Sequence, residues 1–337
     1  MRVLVTGANG FLGSHLVRRL LDRGHGVRAL VRPGGSVAAV DSRAELAAGD
    51  VTDAAALRRA VAGCDLVYHL AGVRRAPDRA TFHRVNAEST QLLLEACVAA
   101  GAASHRFVLA GSLAAVGPSK DGKRETDPLA PVEWYGESKA AAERAAFAFS
   151  GQLPVAVGRP PRVVGPGDRE NLFFFRMVAA GVVARILGPP RPLSWIDVDD
   201  CAEGFVLLGE RPEAKGEAFF LASRERTSVE GLQLAVARAL GVAPRRLPVP
   251  PPLLLGLAWA ADALGSTTGR KLPLNRKLAR QLLAPGWTCA TEKAEDLLGF
   301  VARTPLDDSV ARSAAFYLDH GWLPAPAGVG RSRRRAL

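Results

Sequence analysis

The sequence predicts an α/β fold, a doubly wound parallel sheet (Rossmann type) carrying a smaller, mostly helical lobe. A glycine turn joins an apolar run to a helix at the start of the chain, and apolar runs then alternate with helical segments as far as residue 110. Beyond it, proline and glycine clusters break the regularity, as in Gly165-Pro166-Gly167-Asp168, Gly188-Pro189-Pro190-Arg191-Pro192 and Pro248-Val249-Pro250-Pro251-Pro252. Strands alternating with helices imply right-handed crossovers and a parallel sheet.

Val3-Leu4-Val5 is a branched apolar run suited to a buried strand, and Ser14 to Leu20 has the character of a helix. Between them stand Gly7, Asn9, Gly10, Phe11, Leu12 and Gly13. The three glycines suit a tight turn, a close backbone approach to a phosphate and close packing of helix on strand. The free N–H groups at the helix start would hold the anion. These residues are the candidate site for a dinucleotide.

Val27 to Val31 reads as a second strand ending at Arg32-Pro33-Gly34-Gly35. At its tip an acidic residue would bind a ribose 2′-hydroxyl and an arginine would accept a 2′-phosphate. Arg32 therefore points to NADP in preference to NAD. Gly49-Asp50-Val51-Thr52-Asp53 follows a third strand and opens a helix, with Thr52 or Asp53 as its cap. Asp65 to Leu70 is a fourth strand ending in Ala71-Gly72, where small residues let a flat ring approach the backbone. A long helix through Asn86 and Val98 leads to a fifth strand, Arg106 to Ala110.

Tyr135 and Lys139 are four residues apart, on one face of an alanine-rich helix. A free tyrosine titrates near pH 10, and a neighbouring ammonium favours the phenolate needed for proton transfer. Ser112 ends the fifth strand, on the side where open α/β sheets bind ligands. Its hydroxyl can hold a substrate carbonyl against Tyr135.

With 337 residues, 48% hydrophobic and 23% charged, the chain has ample material for a core. Cys64, Cys97, Cys201 and Cys289 are scattered, which suggests neither zinc nor disulfides and suits a reducing cytoplasm. The opening residues contain no basic-then-apolar leader. The apolar run Leu253 to Leu264, interrupted by Gly256 and Asp262, is too short for an integral span and is expected to cover a substrate pocket, with a surface-lying amphipathic helix as the alternative. The formal charge of +11 is partly concentrated in Arg331, Arg333, Arg334 and Arg335, and no basic surface interleaved with aromatics marks a nucleic-acid partner. Asp197, Asp199 and Asp200 precede an apolar helix and read as a cap, so no metal site is assigned. We divide the chain into a dinucleotide-binding domain (1–160 plus 193–210), a substrate-binding lobe (161–192 plus 211–323) and a disordered basic tail (324–337).

Taken in order, these motifs resemble those of the extended short-chain dehydrogenases/reductases of the NAD(P)-dependent epimerase/dehydratase superfamily. The match runs through Thr6 to Gly13, Gly49 to Asp53, His69 to Gly72, Val85-Asn86, Ser112, Tyr135 with Lys139, Arg159 to Asp168 and Trp195 to Asp200. In style it is nearest to dihydroflavonol-reductase-like and 3β-hydroxysteroid-dehydrogenase-like members. The resemblance implies a catalytic triad of Ser112, Tyr135 and Lys139, with Lys139 also holding the nicotinamide ribose. It implies that Asp50 and Val51 border the adenine, that Leu70, Ala71 and Gly72 border the nicotinamide half, and that Pro160, Arg162 and Val163 line the far side of that ring. It further implies that the helices bearing Glu88–Val98 and Tyr135–Phe149 can pair in a homodimer. Relatives often carry two hydroxyl residues where this chain has Ala110 and Gly111, a departure that favours a less polar substrate.

The leading reading is an oxidoreductase that transfers a hydride between NADP and a ketone or secondary alcohol of a small-molecule substrate. A nucleotide-sugar epimerase or dehydratase with Arg191 holding a diphosphate is the alternative, and a non-catalytic dinucleotide sensor is the third.

Overall fold

A computed structural model describes residues 1–101, 106–268 and 274–324, with side chains on the helix at 251–268 described as far as residue 265. The chain opens with β1 (Arg2–Thr6), α1 (Phe11–Asp22), β2 (Gly26–Val31), β3 (Glu45–Ala48), α2 (Ala54–Val61) and β4 (Leu66–His69). It continues through α3 (Arg79–His83), a π-helical turn at Arg84–Glu88 and α4 (Ser89–Ala99) to β5 (Arg106–Ala110). Then come α5 (Leu113–Val116), β6 (Ser119–Lys123), α6 (Trp134–Ala148), β7 (Val155–Arg159), β8 (Arg162–Val164), α7 (Leu172–Ala179), β9 (Val182–Ile186), β10 (Leu193–Asp197), α8 (Val198–Glu210) and β11 (Glu217–Phe220). The remainder comprises β12 (Arg226–Thr227), α9 (Val229–Leu240), β13 (Arg245–Val249), α10 (Pro251–Thr268), α11 (Arg276–Leu283), β14 (Trp287–Cys289), α12 (Glu292–Leu298) and α13 (Leu306–Asp319).

Seven parallel strands form the main sheet in the order β11-β7-β5-β4-β1-β2-β3. Both faces are covered by helices, so the strands read as continuous apolar runs, and the two-residue period of a strand sorts their side chains. Val3 and Val5 join a core with Leu16, Leu20 and Phe205 from α1 and α8. Leu4 joins the opposite core with Leu57 and Leu93 from α2 and α4. The order reverses between β1 and β4, which opens a crevice at their carboxyl ends.

The expected caps form. Asp53 accepts hydrogen bonds from the Ala55 and Ala56 N–H groups at 2.8 and 3.3 Å, and Asp197 accepts one from the Asp199 N–H at 2.8 Å. The other two carboxylates of that trio are also engaged: Asp199 pairs with His15 and Arg312, and Asp200 accepts from the Arg303 and Thr304 N–H groups. Among the described residues, no group of three or more His, Cys, Asp or Glu is arranged to hold a metal.

The expected partition of the chain needs two corrections. β11, assigned by sequence to the lobe, is the seventh strand of the main sheet, paired with β7. β10, assigned to the dinucleotide half, pairs instead with β8, β12 and β14, and β14 in turn pairs with β6. Short apolar runs carry no label for the sheet they join, and hydrogen-bond partners decide it. The lobe therefore combines these short strands, and the parallel pair β9 and β13, with α7, α9 and α13 packed around Phe175, Val236 and Tyr317. The expected tail residues Arg331, Arg333, Arg334 and Arg335 lie outside the described residues.

α10 also departs from expectation. Of its long apolar run it buries Leu254 and Ala258, against Ala279 of α11, while Leu253, Leu255, Leu257 and Trp259 face outward.

Candidate active site

Each candidate residue lies at or just beyond the carboxyl end of a strand of the main sheet, or on the helix beside β5. Gly7 to Gly13 follow β1, Arg32 follows β2, Asp50 and Val51 follow β3, and Leu70 to Gly72 follow β4. Ser112 follows β5, while Pro160, Arg162 and Val163 follow β7.

The glycine turn is shaped by close approach. Gly7 has φ +70°, and a β carbon there would lie 2.7 Å from the Ala71 nitrogen; one on Gly13 would lie 2.0 Å from the Gly7 oxygen. The backbone of β1 therefore presses against the segment after β4, and α1 starts in contact with the turn. Gly10 caps α1 without a side-chain hydrogen bond, and the first turn holds no acidic residue. Its N–H groups are left facing the crevice with a positive end-charge, the requirement for a pyrophosphate. The cradle fits a dinucleotide.

At the adenosine end, Asn9 Nδ2 donates to the Ser36 carbonyl at 2.9 Å, which ties the loop after β2 to the glycine turn. Arg32 is exposed on that loop. Asp50 is held by the Thr52 N–H at 2.9 Å and hydroxyl at 2.7 Å; these bonds, with Arg32's charge as a smaller influence, keep its carboxyl below the usual range. Val51 turns its side chain into the core, so only its backbone can border the groove.

At the reaction end, Lys139 is buried and its Nζ donates to the Ala110 carbonyl at 2.7 Å, which fixes the ammonium at the tip of β5. A β carbon on Gly72 would sit 3.5 Å from that Nζ, so the ends of β4 and β5 meet at the lysine. Ser112 caps α5 by accepting from the Ala114 N–H at 3.1 Å, which leaves its own proton free to donate. Tyr135, half-buried, stands one turn before Lys139. A β carbon on Gly136 would be 2.4 Å from the Ala114 oxygen, so the start of α6 lies directly on the α5 turn that Ser112 caps. Sequence spacing alone could not have shown that proximity.

Two further cations surround the phenol. Lys277 Nζ lies 5.8 Å, and the Arg74 guanidinium 5.9 Å, from the centre of the Tyr135 ring. Arg162, bonded to Asn171 Oδ1 at 2.5 Å, is pulled down to about 10 by burial first and by the charge of Arg74 second. Lys277 is itself paired with Glu133 at 2.6 Å, so the cations beside the Tyr135 ring are partly balanced by an acid.

Several neighbours of the candidate site were given no role by the sequence, although His69 and Asn86 belong to matched motifs. Asn86 sits in the π-helical turn, accepts from the Val73 N–H at 2.7 Å and donates to the Ser138 hydroxyl at 2.9 Å, tying the segment after β4 to α6. His69 lies 2.7 Å from the Thr6 hydroxyl and is pushed down to about 3, by burial first and by Lys139 second. Glu143 has no exposed surface and meets Arg159 at 2.9 Å. A β carbon on Gly111 would come within 2.4 Å of Glu143 Oε1. The missing hydroxyl at position 111 therefore reports packing against Glu143, and it no longer argues for a less polar substrate.

The model of the NAD dependent epimerase/dehydratase family matches residues 3–222. The chain belongs to that family. This epimerase/dehydratase family member is 31% identical to a protein named ceramide reductase from Caulobacter vibrioides, over 96% of both chains. It is 29% identical to 3 beta-hydroxysteroid dehydrogenase/Delta 5-->4-isomerase from Mycobacterium tuberculosis, over 94% of this chain and 90% of that one. Among solved structures it resembles MoeE5 in complex with UDP-glucuronic acid and NAD, at a TM-score of 0.74 and 25% identity, over 95% of this chain and 100% of that one. The protein is a nicotinamide-dependent oxidoreductase of the extended short-chain dehydrogenase/reductase type. Among the described residues, no helix is long and apolar enough to cross a membrane.

Proposed function

We propose that this enzyme transfers a hydride between NADP and a ketone or secondary alcohol on an apolar, lipid-like molecule. The observation that carries the reading is the anchoring of Lys139 on the Ala110 carbonyl, at the strand tip shared with Ser112 and one helical turn from Tyr135. Bound nicotinamide supplies or accepts the hydride. Ser112 donates a hydrogen bond to the substrate oxygen and orients it. Tyr135 gives that oxygen a proton in reduction and removes it in oxidation, while Lys139 and the neighbouring cations stabilise the charge left on the phenol oxygen.

NADP is proposed because Arg32 follows β2 and the turn beyond it, Pro33 to Ser36, holds no acid for a free 2′-hydroxyl. The apolar substrate class rests on the lipids named for two full-length relatives, ceramide and a 3-hydroxysteroid. Arg191, offered for a sugar-nucleotide diphosphate, turns back to the Leu187 and Pro189 carbonyls at 3.4 and 3.3 Å, which weighs against that alternative.

The test is to incubate the enzyme with reduced cofactor and separate panels of apolar ketones and nucleoside-diphosphate sugars, following the reduced nicotinamide absorbance. Net cofactor oxidation with an apolar ketone is expected. Conversion of a sugar nucleotide with no net change in absorbance contradicts the proposal.

A further inference from the structure

The outward surface of α10 is at odds with a water-facing helix. Leu253 is 51%, Leu255 40%, Leu257 50% and Trp259 63% exposed, and Leu247 on the adjoining β13 is 47% exposed. The helix is held down on its other side by Leu254 and Ala258, packed with Ala279, Leu282 and Leu283. Its one charged residue, Asp262, is bonded to Arg276 at 2.8 Å, and that guanidinium lies 5.0 Å over the Trp259 ring. Large apolar surfaces of this kind mark a contact with something other than water.

The charge around the face says what covers it. Residues 241–283 contain seven Lys or Arg and one acidic residue, Asp262. Arg245 and Arg246 are exposed on β13, just before the helix, with Arg246 3.7 Å from Glu230, and Arg276 and Arg280 are exposed on α11, which packs beside it. An apolar helix face with a tryptophan and a cationic rim fits the boundary between acyl chains and anionic headgroups. A second copy is a poorer occupant, because a two-fold contact brings two copies of the same net-positive patch together.

We propose that α10 seats the enzyme on an anionic phospholipid surface, with Leu253, Leu255, Leu257 and Trp259 among the headgroups and the flanking arginines on lipid phosphates. The helix lies on the bilayer without crossing it. This placement deepens the lipid-substrate reading by giving the lobe access to molecules dissolved in a membrane. Its physical basis is independent of the redox chemistry, so it is tested without turnover.

The full-length protein is sedimented with vesicles of pure phosphatidylcholine and with vesicles that also contain phosphatidylglycerol. Binding to the anionic vesicles, weakened by salt and small on the neutral ones, is the expected result. Leu257→Ser with Trp259→Ser should weaken that binding about tenfold or more while leaving the unfolding midpoint and NADP affinity unchanged. Arg245→Ser with Arg246→Ser, which removes no apolar surface, should weaken it about fivefold per charge. Failure of the wild-type protein to sediment with anionic vesicles, or equal sedimentation of both double variants and the wild type, overturns the proposal. So does a dimer in sedimentation velocity that the Leu257 and Trp259 substitutions dissociate, because the face then belongs to a second copy.

Discussion

Glu143 and Arg159 form a buried pair behind the strand tip that carries Ser112. Removing one member of such a pair leaves the other charged and desolvated, which costs about 3–5 kcal/mol. Arg159→Met should therefore lower the urea-unfolding free energy by roughly that amount, with Gly111→Ser also destabilising because its β carbon meets the Glu143 carboxylate. His69 gives a pH dependence. An unfolded histidine takes up its proton near pH 6.5, whereas folded His69 resists until about 3, so the unfolded state binds more protons between those values. Stability from this group is complete above the upper value and falls by about 1.4 kcal/mol per pH unit as acid is added. In His69→Gln the slope of unfolding free energy between about pH 6 and pH 4 should be shallower by about one proton. Tyr135, Lys139 and Ser112 were nominated from spacing and order, and their proximity came from the packing of α6 on α5 and the Lys139 bond to the Ala110 carbonyl. Glu143, Arg159 and Arg74 were not assigned roles at the site, because their contacts come from separate parts of the chain.

At the level of elements, β1, β2, β4 and β5 are legible because a strand buried on both faces must be an apolar run, whereas the edge strand β3, largely exposed, is placed only by the turn that follows it. β5 matches its expected bounds, Arg106–Ala110. β6 was missed: Ser119–Lys123 contains no large apolar residue and is a strand only because β14 pairs with it. β11 was assigned to the wrong side because its four residues, Glu217–Phe220, do not say which sheet they extend. α10 misleads in another way, since an apolar sequence is ordinarily read as buried and this one faces outward. The proposed cofactor preference rests on the loop after β2. Arg32→Ala should weaken NADPH binding about ten- to a hundredfold and leave NADH binding nearly unchanged, as measured by fluorescence titration with both cofactors.

Across the whole molecule, the proposed adenosine end at Arg32 and Asp50 and the proposed reaction end at Tyr135 and Lys139 lie along the strand ends where the order of the sheet reverses. A ligand spanning both ends bridges segments distant in sequence, and binding to the folded chain alone stabilises it. NADP at a hundred times its dissociation constant should raise the unfolding free energy by about 2.7 kcal/mol, visible as an upward shift of the thermal midpoint that NAD at equal concentration does not match. The way the lobe assembles was the least legible part of the fold, because β6, β8, β10, β12 and β14 come from five separated stretches of chain. The most direct test of proton exchange at Tyr135 is the turnover of Tyr135→Phe, followed by nicotinamide absorbance alongside cofactor affinity. A loss of about a hundred- to ten-thousandfold in turnover with cofactor affinity retained is expected, whereas a variant that turns over at the wild-type rate contradicts the assignment.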